Sequence, residues 1–337
     1  MKKQKTIPIF VPHMGCRNDC SFCNQKTITG QCETMTPKLA EETIEAALTT
    51  IAEETFVEIG FFGGSFTGIE KELQKQFLEV AHRFLLSGAV NAVRLSTRPD
   101  YINEETIALL KEYGVQTVEL GAQSMEDRVL TLNHRGHSCA DTVRAAEMIL
   151  NSGIQLGLQM MTGLYGDTDS SCMESAKKMI ALSPTCVRIY PTLVLQGTEL
   201  ARLYASGAYQ PQSLEQAVSL CADIKEMFDE AQIPVIRLGL QTTDNINPDQ
   251  DVVAGPYHAS FGELVQSELY FRKLKECVCA DCVIAVHPTS LSAFLGNRKR
   301  NIVKFKELGI HVTFVQDACV SPGAFQLMIK EGGKLCV

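Results

Sequence analysis

The sequence lacks tryptophan, lacks any long apolar run, lacks an excess of basic residues and has no low-complexity stretch or internal repeat. The absent tryptophan excludes nothing. The absent apolar run excludes a helical membrane span, which needs ~20 consecutive, mostly apolar residues. The opening MKKQKTIPIF has no apolar core followed by a small-residue cleavage site, so it does not read as a secretory leader. A soluble chain in the cytoplasm, away from membranes, is expected. The formal net charge of -8 excludes a basic footprint spread over the whole molecule. Any contact with RNA has to be local.

Against these absences stand thirteen cysteines in 337 residues. Thiols stay reduced in the cytoplasm, and clustered cysteines there point to metal before disulfide. A chain of this size buries roughly 75% of its unfolded surface on folding, so it needs no covalent staple.

Short apolar or β-branched runs alternate with longer amphipathic stretches. Strands are predicted near 7–12, 56–62, 92–97, 115–123, 154–161, 186–194 and 233–239. Helices are predicted over 37–54, 69–86, 104–113, 139–152, 169–182 and 212–231. Several helices run into a glycine before the next strand, as in KEYGVQT and LNSGIQL, the favoured left-handed stop. Thr36 and Pro37 supply a cap and a first residue for the first helix. The alternation means βαβ units and a parallel sheet. The strands read as near-continuous apolar runs, as for a sheet covered on both faces. The expected fold class is α/β: a parallel (β/α) partial TIM-type barrel over residues 1–265, with a small C-terminal α/β domain over 266–337. Functional residues then belong at the C-terminal ends of the strands.

The segment PHMGCRNDCSFCNQ follows the first predicted strand, with Cys16, Cys20 and Cys23 spaced C-x3-C-x2-C. A loop this short bends three thiolates around one inorganic cluster, which usually takes four. Three protein ligands leave one iron open, useful only where something else binds it. Zinc completed by His13 is a second reading, but zinc wants four ligands, usually in two pairs, and no second pair lies nearby. A disulfide does not suit a reducing compartment.

The triplet, with Phe22 before its last cysteine, resembles the radical S-adenosylmethionine (SAM) superfamily. The resemblance implies a 4Fe-4S cluster on Cys16, Cys20 and Cys23 whose open iron takes the amino and carboxylate groups of SAM. It implies reductive cleavage of SAM and hydrogen abstraction from a substrate, with an electron donor such as flavodoxin or ferredoxin. It also implies cofactor contacts at Phe22, at Gly63, Gly64 and Ser65 in FFGGSFTG, at Ser96 and Arg98 beside Thr97 in LSTRPDY, and at Gln123 in ELGAQS, with Glu119 on the same strand. Read from the residues alone, a glycine pair is a turn or a close approach to a ligand. Arg98 is an ion pair or a contact, and Gln123 a cap or a contact.

Longer strings narrow the resemblance. VELGAQSMEDRVLTLNHRGHS, GLQMMTGLYGDT, RIYPTLVLQGTEL and AGPYHASFGELV are similar to the radical domain of the elongator catalytic-subunit family, which modifies the wobble uridine of tRNA. By that likeness Arg135 and His137 border the cofactor pocket, and Tyr190 and Pro191 line its wall. Two departures stand out. The first gap of the cysteine loop is short, and no Gln/Arg-x-x-Gly-x-Gly/Ala loop for a CoA pyrophosphate is found. The expectation is a relative without the acetyltransferase domain, acting on tRNA or another RNA. The alternatives are a radical enzyme on a small-molecule or porphyrin-like substrate, and a non-catalytic zinc-binding RNA adaptor.

Toward the C-terminus, Arg298, Lys299, Arg300, Lys304 and Lys306 fall within 296–306 with no acid among them. The stretch weakly resembles the Gly-loop and helix of a KH-type RNA module, which clamps nucleic-acid backbone. The alternative is a solvated basic helix start. Cys277, Cys279 and Cys282 in CVCADC read either as buried cysteines of a strand or as a second metal site. His134, His258 and His287 stand alone.

Overall fold

A computed structural model describes residues 4–11, 14–16, 20–24, 34–240, 251–331 and 334–336; His13, weighed above as a zinc ligand, lies outside them. The strands of the first half are β1 (Gln4–Phe10), β2 (Phe56–Phe62), β3 (Ala92–Thr97), β4 (Thr117–Gln123), β5 (Gln155–Thr162), β6 (Cys186–Pro191), β7 (Val194–Leu195), β8 (Val235–Leu238) and β9 (Val252–Ala254). Seven of them form one sheet in the order β1-β2-β3-β4-β5-β6-β8. Every neighbouring pair is parallel, beginning with Gln4 opposite Phe56. β1 and β8 do not pair, so the sheet is a half-barrel. β7 and β9 form a separate antiparallel pair.

The strands are not continuously apolar, as expected above, but alternate. Val57, Ile59 and Phe61 on β2, Val93 and Leu95 on β3, Val118 and Leu120 on β4, and Val187 and Ile189 on β6 are buried at every second position. Between them come Glu58, Arg94, Glu119 and Arg188. Successive strand side chains point to opposite faces. One face packs apolar side chains, with Phe61, Phe66 and Phe77 ring to ring at 4.8 and 6.0 Å. The other turns polar groups inward.

The helices begin where caps permit. Thr36 accepts from the Leu39 N–H at 3.2 Å, with Pro37 as first residue. Ser138 with Asp141 and Ser213 with Gln216 close reciprocal capping boxes. The first helix, Pro37–Leu48, stops short of the predicted end at 54. Thr49 and Thr50 donate their hydroxyls back to the Ala46 and Ala47 carbonyls, each at 2.8 Å, competing with continuation of the helix. Helices Asp127–Leu132 and Glu199–Ala205 were not predicted. Both are too short to carry an amphipathic period of their own.

The chain divides into two compact units, 1–217 with 227–257, and 218–226 with 258–337. The second unit holds a four-stranded sheet: β10 (Cys282–Val286), β11 (Val312–Gln316), β12 (Phe325–Glu331) and β13 (Lys334–Cys336) in the order β11-β10-β12-β13. β10 runs parallel to β11 and antiparallel to β12. Its core gathers Leu274, Ile284, Val286, Phe294 and Phe305, with Tyr270 stacked on Phe294 at 3.9 Å. Cys282 is buried in β10, whereas Cys277 and Cys279 are exposed. The buried-strand reading of CVCADC therefore holds for Cys282 alone. No helix among the described residues is long and apolar enough to cross a membrane.

Candidate active site

Residues of β1 to β6 and β8, with the loops that follow β1, β2 and β3, line a cavity of about 790 Å³. Cys16, Cys20, Phe22, Cys23, Gly63, Gly64, Ser65, Ser96, Arg98, Gln123 and Arg135 all line it, as does Tyr190. His137 and Pro191 do not line it. Thr97 lines it but is committed elsewhere. Its Oγ1 lies 2.6 Å from Thr67 Oγ1 and accepts the Thr67 N–H at 3.3 Å, bracing the turn Phe66–Gly68.

The three cysteines share one wall. Cys20 and Phe22 pack against Val129, Leu164, Val194, Leu200 and Tyr209. Cys16 Sγ is 3.5 Å from Ser65 Oγ, and Arg135 Nη1 donates to Cys20 Sγ at 3.2 Å. Among the described residues no three His, Cys, Asp or Glu side chains are already drawn together around a metal position, this triplet included. The donor set still suits a cluster. Three thiols, the ligand type that holds iron–sulfur clusters, line one cavity.

Backbone packing holds the cysteine loop against the loop after β2. Gly15 has φ +74°, and a Cβ there would lie 2.2 Å from the Ser65 carbonyl oxygen. A Cβ on Gly64 would lie 2.4 Å from the Val11 oxygen and 2.7 Å from the Met14 oxygen. Only glycine permits this approach, which leaves backbone amides and carbonyls at the cavity edge.

Arg98 is braced rather than loose. Its Nε and Nη2 donate to the two Asp100 oxygens at 2.9 and 3.1 Å, and Nη2 also donates to the Arg135 carbonyl. Its carbon Cζ sits 5.4 Å from the Tyr101 ring centre. Burial disfavours its charge, but Asp100 outweighs that and holds the guanidinium above its ordinary value. Gln123 ends β4 at φ 65°, just past a bulge, so its side chain leaves the strand's alternation. A non-glycine residue held in that region carries strain of the kind that gathers at functional sites.

A layer of charge lies beneath the same cavity, which Glu58, Arg94, Gln159 and Arg188 of that layer line. Glu119 is fully buried. Arg188 binds it twice, at 2.6 and 3.0 Å, Arg94 at 2.7 Å and Gln159 at 2.9 Å. Arg94 also reaches Glu58 at 2.6 Å, and Gln159 reaches Ser96 at 2.9 Å. Burial raises the Glu119 carboxyl, but Arg188 and Arg94 prevail and hold it below the usual range. Sequence reasoning placed Glu119 on the barrel and missed its partners. The signal was present: VRL, VEL and VRI each set one charge between apolar residues near the middle of β3, β4 and β6.

His137 is buried, with Nε2 3.3 Å from the Ala122 carbonyl and no partner for Nδ1 among the described residues. Burial, then Arg135 and Arg98, push its pKa down to about 3, so the ring is neutral.

The Radical SAM superfamily model matches residues 10–179, and the Radical SAM C-terminal domain model matches 184–270. The chain belongs to the radical SAM superfamily. It is a radical SAM enzyme, and membership implies a 4Fe-4S cluster and SAM as its cofactors. Curated relatives include a tRNA uridine(34) acetyltransferase of Methanocaldococcus infernus, 30% identical over 250 residues, covering 67% of this chain and 45% of that protein. Human Elongator complex protein 3 is 27% identical over 188 residues, covering 50% of this chain and 34% of that one. The chain thus spans less than half the length of either. Among solved structures, the archaeal Methanocaldococcus infernus Elp3 with an N-terminal deletion superposes with TM-score 0.64 at 23% identity, covering 83% of this chain and 65% of that one. That likeness speaks for the fold.

Proposed function

We propose that Cys16, Cys20 and Cys23 hold the cluster and that SAM lies between them and the strand ends that carry Gly63, Gly64, Ser65, Ser96, Arg98, Gln123 and Arg135. The observation that carries this is their convergence on one cavity. When bound, the pair supplies one-electron cleavage of a sulfonium and removal of a hydrogen atom from substrate. The chain's own part is binding, orientation and exclusion of water. Carbonyls near Gly63 and Gly64 accept from the methionine ammonium. Phe22 and Tyr190 shield the space. Ser96, backed by Gln159, offers a hydroxyl to a ribose. The electron comes from a small donor protein such as flavodoxin or ferredoxin, in the cytoplasm.

The substrate proposed is RNA, with tRNA first. The Methanocaldococcus infernus relative acts on tRNA by its name, and the second unit offers a local basic face. Gly296 and the 3-10 turn Asn297–Lys299 link helices Leu291–Leu295 and Arg300–Glu307. Arg298, Lys299, Arg300 and Lys306 are exposed there. Lys304 is already paired with Glu268.

The test is anaerobic reconstitution followed by dithionite and SAM. The native chain is expected to turn brown and release 5′-deoxyadenosine. Cys20→Ala is expected to lose both while keeping its circular dichroism. Zinc in place of iron, with no nucleoside released, would overturn the reading. Comparing modified nucleosides in tRNA from deletion and parent strains tests the substrate.

A further inference from the structure

The segment 133–137, between helices Asp127–Leu132 and Cys139–Asn151, grips the cysteine loop at two points. Asn133 is fully buried. Its Oδ1 accepts the Ser21 hydroxyl at 2.8 Å, and its carbonyl accepts the Ser21 N–H at 3.2 Å. Its Nδ2 donates to the Val129 and Tyr165 carbonyls at 2.8 and 2.9 Å. The Ser21 carbonyl in turn accepts from the Leu200 N–H at 2.8 Å. Ser21, immediately after Cys20, therefore has its side chain, N–H and C=O all held.

Two residues on, Arg135 is pinned from three directions. Nη2 donates to the Gly121 carbonyl at 2.6 Å, its backbone N–H donates to Leu130 at 3.0 Å, and its carbonyl accepts from Arg98. That leaves Nη1 directed at Cys20 Sγ at 3.2 Å. A buried guanidinium, held by backbone on both sides, thus points one N–H at one sulfur of the triplet. Cys16 Sγ lies 3.5 Å from the neutral Ser65 hydroxyl.

Hydrogen bonds to ligand sulfurs and local net charge set cluster potentials. The reduced cluster carries one more negative charge than the oxidised one, so a fixed cation beside a ligand sulfur favours reduction. We infer that Arg135 raises the reduction potential of the cluster through Cys20 Sγ, and that Asn133 is the positioning residue that holds this sulfur within its reach. The inference rests on the triplet holding a cluster. The couple is a one-electron reduction with dithionite as the electron source.

The experiment is a mediated potentiometric titration of the reconstituted full chain, read by electron paramagnetic resonance with no SAM or substrate added. Arg135→Gln is expected to lower the reduced-to-oxidised ratio at a fixed potential about tenfold, a shift of about 59 mV for one electron. Arg135→Lys, which keeps the charge, is expected to shift less. A purely structural role would reduce iron content without moving the potential of the cluster that remains. Asn133→Ala is expected to lose iron faster to a chelator. If the Gln variant takes up no cluster, the native chain grown on ¹⁵N-arginine decides by pulsed resonance: arginine nitrogen coupling to the reduced cluster is expected. Native protein with a cluster but no such coupling, or equal potentials in native and Gln forms, overturns the inference. Native protein that binds no iron overturns the cluster assignment instead.

Discussion

At the scale of single residues, the interior charge layer is the most demanding feature. Two buried carboxylates, Glu58 and Glu119, balance two half-buried guanidiniums, Arg94 and Arg188. Removing one partner of a buried pair leaves an uncompensated charge and costs ~3–5 kcal/mol. Glu119→Ala is therefore expected to lower the urea unfolding free energy by about that amount. A loss below about 1 kcal/mol would mean that water reaches the site. His137 gives a second expectation at this scale. Its folded pKa of about 3 lies below the ordinary value of 6.5. Between those values the unfolded chain binds a proton that the folded chain refuses, so stability falls as pH drops through 6.5 toward 3. The group's contribution to that loss is about 2 kcal/mol between pH 7 and pH 5. His137→Gln is expected to flatten the stability profile by that amount over this window, measured as the difference in urea midpoints.

At the scale of elements, the placement of the cysteine loop depends on two glycines. A Cβ at Gly15 would meet backbone at 2.2 Å and also sit at positive φ. Gly15→Ala is expected to keep the helical signal and lose cluster loading, read as iron per chain. Equal loading would show that the loop can shift without consequence. Much at this scale was legible in the sequence. β2 and β3 begin and end where their apolar runs do, and the cap at Thr36 was readable from a single residue pair. The motif residues Cys16, Cys20, Phe22, Cys23, Gly63, Gly64, Ser96, Arg98 and Gln123 came to one cavity because each ends a strand or follows one. What stayed hidden depends on contacts distant in sequence. Arg188 lies 69 residues from Glu119, and Asn133 lies 112 residues from Ser21. No local pattern reports such pairs. The positive φ of Gln123 was hidden for a related reason, since a bulge against β5 imposes it.

At the scale of the molecule, a net charge of -8 coexists with an exposed basic stretch at 298–300 in the second unit. Attraction confined to a few cations on an acidic protein is steeply salt dependent. Replacing Arg298, Lys299 and Arg300 by alanine is expected to weaken tRNA binding in a filter assay. It should also reduce the slope of log affinity against log salt by about 2 for single-stranded contacts. Unchanged affinity and slope would remove this stretch from the RNA surface. The charge layer around Glu119 has a thermal consequence as well. The penalty for burying ions falls as temperature rises, whereas apolar burial levels off. Glu119 and its guanidiniums therefore supply a growing share of the barrel's cohesion on warming.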